Sequence, residues 1–264
     1  MSRSWLVLIF TVLLFSCSRY NKIFKSKDTE YKLRMAEQYY ASKKYNVAQQ
    51  LYEDLFTYYK GDPRYEDMIY KYAYCFYYQR DYLSAENYFK NFLEIFPKST
   101  KAEEMDYMRC FCYYKQSPKT DLDQSNTVKA IGAMQTFIAN HPGSARITDA
   151  NKVIDECRAK LEIKSFKAAT LYYNLGQYKA AALSFTNLIN DYPDSNKGDE
   201  YKLMVLRSYY AYALMSIEDK QRERYEQVIT EYNDFIDRYP DSKLLKEAER
   251  YYNLSQNNLK ALTK

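Results

Sequence analysis

One nine-residue pattern occurs four times along the chain, as NFLEIFPKS, TFIANHPGS, NLINDYPDS and DFIDRYPDS, centred on Pro97, Pro142, Pro193 and Pro240. Each copy has Ser two residues after the proline (Ser99, Ser144, Ser195, Ser242) and an aliphatic residue four before it (Leu93, Ile138, Ile189, Ile236). Proline cannot continue a helix and biases its predecessor away from helical dihedrals, while serine is a favoured N-cap. The pattern therefore predicts one helix closing and the next opening, four times, at intervals of 45, 51 and 47 residues. Thr100-x-x-Glu103 predicts a capping box at one of these openings. With only five Gly and six Pro, the chain lacks the special turns that sandwiches, barrels and glycine-rich phosphate loops require.

Twelve residues before each proline stand Ala85, Ala130, Ala181 and Val228, and eight before stand Phe89, Met134, Phe185 and Tyr232. Tyr82, Thr127, Tyr178 and Tyr225 lie fifteen before. A small residue followed one turn later by a large one lets a neighbouring helix approach while bulk packs around it. Apolar stretches upstream, such as residues 70–78 and 168–178, supply partner helices, so each unit reads as a helical hairpin. A weaker first copy carries Ala36, Tyr39, Tyr45, Ala48, Tyr52 and Leu55 in the same register and ends near Gly61 to Pro63. The fold expected is all-α, a superhelical array of about five hairpins over 30–264, with approximate repeats 30–63, 64–98, 99–143, 144–194 and 195–264. Polar insertions around Lys115 to Asn126 and Glu218 to Arg224 are expected to be loops between the two helices of hairpins three and five. The pattern resembles the tetratricopeptide repeat, most closely in LYYNLGQYKAAALSFTNLINDYPDS.

The N-terminus is an address. Arg3 precedes an apolar run from Trp5 to Phe15, too short to span a bilayer, so residues 1–16 read as a signal peptide. Its ending, Leu14-Phe15-Ser16-Cys17, resembles the bacterial lipobox, which makes Cys17 the lipidated first residue and anchors the chain without spanning. Ser18 is not acidic, which in lipoproteins of this kind favours the outer membrane. Arg19, Lys22, Lys25 and Lys27 precede the first acid, Asp28, giving a basic tether over residues 17–29. Cys75, Cys110, Cys112 and Cys157 read as buried small hydrophobes, with one disulfide among them as the alternative, and Cys110 and Cys112, two apart on a helix, are not a redox pair.

Lipobox, basic tether, five hairpins and repeated YPDS endings together resemble the BamD (YfiO) family of outer-membrane β-barrel assembly lipoproteins over essentially the whole mature chain. The resemblance implies a non-catalytic, lipid-anchored subunit on the periplasmic face of the outer membrane. It implies docking onto a BamA-type barrel protein beside other assembly subunits, and reception of unfolded outer-membrane protein precursors, with precursors at the N-terminal repeats and docking at the C-terminal ones. Tyr39, Tyr40, Tyr72, Phe76 and Tyr77 fall on the first helices of hairpins one and two, where a rigid aromatic groove with hydroxyls suits an alternating barrel strand. Arg207, Arg222, Arg224 and Arg238 are the docking candidates, because guanidinium groups pair bidentately with carboxylates at interfaces.

Other classes find less support. No GxSxG, HExxH or glycine-rich loop is present, and the single His141 stands inside a helix-ending pattern, so neither catalysis nor a metal is expected and no cofactor beyond the lipid on Cys17. A net charge of +5, unsegregated along the chain, does not point to nucleic acid. An outer-membrane repeat lipoprotein for glycan or nutrient uptake, or for envelope scaffolding, remains the alternative. A sugar-binding surface of that kind is expected to carry more Trp than the one this chain has, inside its signal peptide.

Overall fold

A computed structural model describes residues 20–262, and among them every regular element is helical. The signal peptide, Cys17 and the start of the tether lie outside the described residues. Eleven helices carry the fold: α1 Thr29–Ala41, α2 Tyr45–Tyr59, α3 Tyr65–Tyr78, α4 Tyr82–Ile95, α5 Ala102–Lys115, α6 Ser125–Asn140, α7 Ile147–Asn174, α8 Tyr178–Asp191, α9 Gly198–Leu214, α10 Glu218–Arg238 and α11 Leu245–Ala261. Each predicted ending is in place. Phe96, His141, Tyr192 and Tyr239, the residues just before the four prolines, are the C-caps of α4, α6, α8 and α10.

The turns inside three hairpins share one geometry. Lys44 N–H reaches back to Tyr39 O, Asp81 N–H to Phe76 O and Gln177 N–H to Tyr172 O, while the residue before each bonds three positions back. This double closure is the Schellman ending, which needs a left-handed residue. Gly176 supplies it without cost at φ 73°, but Lys43 (59°) and Arg80 (66°) carry side chains there. So few glycines suffice because two of these turns accept the strain.

The single repeat domain expected from the sequence divides into two compact units, residues 1–157 and 158–264. The division falls within α7, whose residues contribute to both units. The first unit contains α1 to α6 and the start of α7. One of its cores gathers Phe89, Phe92, Met134 and Phe137, the other Leu51, Tyr52, Leu55 and Tyr72. Cys75, Cys110 and Cys112 are buried free thiols of this unit, and Cys157 is buried in it as well. In the second unit Ala181, Phe185 and Tyr201 form one core, and Leu206, Val228 and Phe235 form another. Its last expected hairpin, 195–264, holds three helices, α11 packing on α10 as an additional one.

Three expectations are corrected. Glu218–Arg224 is not a loop but the first turns of α10. That stretch has no Gly or Pro, Glu218 and Asp219 suit the positive helix start, and Arg224 lies 3.8 Å over the Tyr212 ring, so the polar segment folds as helix. The other insert is a loop, closed where Gln124 Nε2 donates to the carbonyls of Lys119 (2.9 Å) and Leu122 (3.0 Å). The Thr100–Glu103 capping box does not form. Ser99 Oγ instead accepts from Lys101 N–H at 3.0 Å, and Glu103 is taken up by Ser144 Oγ. Nor is 17–29 merely a tether, because Tyr20–Phe24 is helical, Ile23 is 1% exposed, and Tyr20 stacks on Tyr39 at 5.6 Å.

Candidate peptide-binding face

The first helices of hairpins one to three carry aromatic residues on more than one face, so which of them face outward is decided by packing. On α3, Tyr72 is 2% exposed and wedged edge-on against Phe56 (4.8 Å) and Tyr88 (4.7 Å), both on second helices. Phe76 is half-buried and stacks on Tyr88 at 4.7 Å. Tyr39 is buried between Tyr20 and the Lys44 ammonium. These three expected groove residues therefore belong to the interior of the unit. Tyr72 and Phe76 turn toward α2 and α4 because bulk is needed between paired helices. Tyr40 and Tyr77 are half-buried, the first edge-on to Tyr45 (5.6 Å), the second to Tyr82 (5.6 Å).

The residues missed are those in the other phase, half-buried Tyr70, buried Tyr74 (6% exposed) and exposed Tyr78, spaced four apart, with Tyr74 as the inner ring that supports the other two. Tyr70 and Tyr74 rings lie 4.9 Å apart, Tyr74 stacks on Tyr78 at 5.7 Å, and Tyr78 stacks on Tyr45 at 4.5 Å. With Tyr40 they form a continuous aromatic strip. On α5, half-buried Phe111 and Tyr114 continue this kind of row over Tyr107, itself buried, with centroids 5.7 and 5.3 Å apart.

Polar groups lock this strip in position. Tyr74 Oη donates to Glu104 Oε1 at 2.6 Å, Tyr52 Oη to Glu37 Oε1 at 2.8 Å, and Tyr114 Oη to Glu156. Lys71 bridges Glu37 and Asp67, and Lys101 reaches Asp67 Oδ1 at 3.0 Å. Lys101 also lies 4.8 Å from the Tyr70 ring, and Arg146 lies 4.9 Å over Tyr107. Burial pushes the Tyr40 and Tyr74 hydroxyls well above their ordinary range and raises that of Tyr70, with neighbouring phenols or carboxylates adding to it, so they remain protonated. For Asp67, burial is outweighed by hydrogen bonds from Lys71 and Lys101, and its carboxyl is held below the usual range. The face thus offers rigid rings rimmed by neutralised charge. Among the described residues no group of His, Cys, Asp and Glu is arranged to hold a metal.

One sequence signal marks this face. Glu37 and Lys71, Asp67 and Lys101, and Tyr70 and Glu104 are each 34 residues apart, so equivalent positions of successive repeats meet there with complementary chemistry.

In the second unit the four expected docking arginines differ among themselves. Arg222 is exposed. Arg238 pairs with Asp234 at 2.9 Å, one turn back on α10. Arg224 covers Tyr212 and donates to Ser216 Oγ. Arg207 is half-buried, donates weakly to Met204 Sδ (3.7 Å), lies 5.9 Å from the Tyr173 ring, and keeps a buried Nε without a hydrogen-bond partner.

Comparison with known proteins places these features in context. The family model described as "YfiO: Outer membrane lipoprotein" matches residues 26–227. No curated protein matches significantly. Among solved structures, the TPR2AB domain of yeast Sti1 in complex with pHSP90 aligns at 12% identity over 86% of this chain and 98% of that one, with a TM-score of 0.40. A TPR repeats protein from Bacteroides fragilis aligns at 13% identity over 88% of this chain and 99% of that one, also with a TM-score of 0.40.

Proposed function

The chain belongs to the YfiO family of outer membrane lipoproteins, and from that premise we propose that it is a non-catalytic subunit of the outer-membrane β-barrel assembly complex. In this reading Cys17 carries the lipid, the repeats face the periplasm, and the subunit docks to a BamA-type barrel protein while receiving unfolded barrel precursors. The observation that carries the precursor role is the strip Tyr40–Tyr78–Tyr74–Tyr70 with its hydroxyl and ion-pair frame in the first unit. A barrel strand alternates apolar and polar side chains, and rigid rings with fixed hydroxyls accept apolar residues of varied shape at low entropic cost. Tyr40 and Tyr77 remain in the proposed groove. Tyr70 and Tyr78 join them, while Tyr39, Tyr72, Tyr74 and Phe76 support it from beneath.

For partner docking, Arg222 is exposed, and Arg207 brings a buried donor for which an incoming carboxylate would be an acceptor. Arg224 and Arg238 would have to exchange internal partners on docking. The test is affinity purification of the chain, tagged at Lys264, from detergent-solubilised outer membranes, with Cys17→Ala as control. Near-stoichiometric recovery of a BamA-type protein supports the proposal. Recovery of a nutrient transporter or cell-wall enzymes in its place would overturn it.

A further inference from the structure

The hairpins of the first unit have two unlike ends. Where α2 and α4 stop, each following turn is tied to the start of its own hairpin, through Arg64 and Glu30 (2.9 Å) and through Ser99 and Glu66 (2.7 Å). The other end consists of the turns within hairpins, residues 42–44, 79–81 and 116–124. These turns are neighbours. Tyr45 stacks on Tyr78, Gln79 Nε2 donates to Gln49 Oε1 at 2.8 Å, and Gln116 Nε2 donates to Tyr82 O at 3.4 Å.

This edge exposes large apolar side chains beside cations. Tyr78 is 46% exposed, Leu83 65% and Val128 57%, and Lys43, Lys44, Arg80 and Lys115 are exposed around them. Its acids are Asp81, which caps α4 by accepting from Ser84 N–H at 3.1 Å, and Asp121 and Asp123 in the third turn. The chain also enters the fold here, because Tyr20 is stacked on Tyr39 in the last turn of α1, with Ile23 buried behind it. Three peptide steps from Tyr20 to Cys17 span at most roughly 10 Å. A lipid on Cys17 is therefore confined close to this edge.

We infer that the intra-hairpin turn edge of the first unit rests on the lipid surface itself, with Leu83 and Val128 at the headgroup boundary and Lys43, Lys44 and Arg80 against anionic headgroups. The inference rests on lipidation of Cys17. Apolar side chains flanked by cations are the combination that lies in a membrane interface, and the anchor raises their effective concentration there. Tyr58 and Ile95 are exposed near the far ends of α2 and α4, roughly 20 Å away along a fourteen-residue helix, and face water.

The test uses the lipidated chain in vesicles of phosphatidylethanolamine and phosphatidylglycerol at about 3:1, spin-labelled in turn through Leu83→Cys, Val128→Cys, Tyr58→Cys and Ile95→Cys. The native thiols are buried, and burial pushes Cys75 and Cys110 up to about 12, so they stay unlabelled. The expected result is a ratio of oxygen to water-soluble nickel collision rates several-fold higher at 83 and 128 than at 58 and 95. Equal ratios at all four sites on vesicle-bound protein overturn the inference while leaving the anchor intact. If Cys17→Ala floats with vesicles as well as the parent, the anchor reading falls and this inference falls with it.

Discussion

Lys101 Nζ lies 3.0 Å from Asp67 Oδ1, exactly one 34-residue repeat further along the chain. Asp67 also holds Lys71, which in turn reaches Glu37, so four side chains from three successive repeats form one charged row. Such a row does for neighbouring hairpins what an i,i+4 pair does within a helix. It fixes register without requiring a large core between them.

Replacing Asp67 by Asn should therefore cost more than an isolated surface pair, about 1 to 2 kcal/mol, since two lysines lose their acceptor. The pH dependence has a definite sign. Asp67's folded pKa lies below its unfolded value near 3.8, so its contribution is present above that value and is lost as pH falls through the folded one. Urea melts of parent and D67N should converge as the pH drops below about 4. A gap that stays constant down to acid pH would contradict the assignment.

Ser99 combines two bonds in one hydroxyl, accepting from Lys101 N–H at 3.0 Å and donating to Glu66 Oε1 at 2.7 Å. Ser144, Ser195 and Ser242 repeat the arrangement with Glu103, Glu162 and Asp199. Ser99→Ala should destabilise the first unit by about 1 to 2 kcal/mol, the range of lost helix caps. A double-mutant cycle with Glu66→Gln should give a coupling near half of that. Additive single effects would show that the two side chains do not cooperate.

Arg80 and Lys43 sit at left-handed dihedrals that cost a side-chain-bearing residue roughly 1 kcal/mol relative to glycine. Arg80→Gly is expected to raise the denaturation midpoint of the first unit, because the Arg80 side chain is exposed and makes no core contact. The same change at Gln79, which has ordinary helical dihedrals (φ −78°), should lower it. Equal losses at both positions would mean that the turn gains nothing from relaxed backbone.

The repeat frame was legible because proline acts through the backbone, and its effect on a helix end does not depend on neighbours. All four C-caps therefore fall where the pattern puts them. The phase of the aromatic face was not legible from α3 alone. In YKYAYCFYY six of nine positions are aromatic and they fall on every side of the helix, so periodicity carries no information about which side is buried. The small residues Ala73 and Cys75 and the bulky Phe56 and Tyr88 opposite decide it, and they place Tyr72 inside. The polar start of α10 misled for a related reason. Charge suggests solvent exposure, and exposure is compatible with helix when acids lead and no breaker intervenes.

The phenols give the last test. Tyr52, Tyr72 and Tyr74 are buried, and burial pushes their hydroxyls far above the ordinary value of 10.0. A folded pKa above the unfolded one means that the folded state keeps protons the unfolded state gives up. Stability from these groups is thus full below about 10 and falls as pH rises beyond it. Titration followed by phenolate absorbance should show an early class from exposed rings such as Tyr58 and a late class that ionises only as helical ellipticity is lost. Tyr74→Phe separates the hydroxyl from the ring. Its bond to Glu104 is 2.6 Å, so losing it should cost about 1 to 2 kcal/mol at neutral pH, whereas Tyr72→Phe, whose hydroxyl is 3.5 Å from Tyr88, should be nearly silent. If Tyr72→Phe proves the more damaging, the Tyr74–Glu104 bond is not what holds the aromatic row in place.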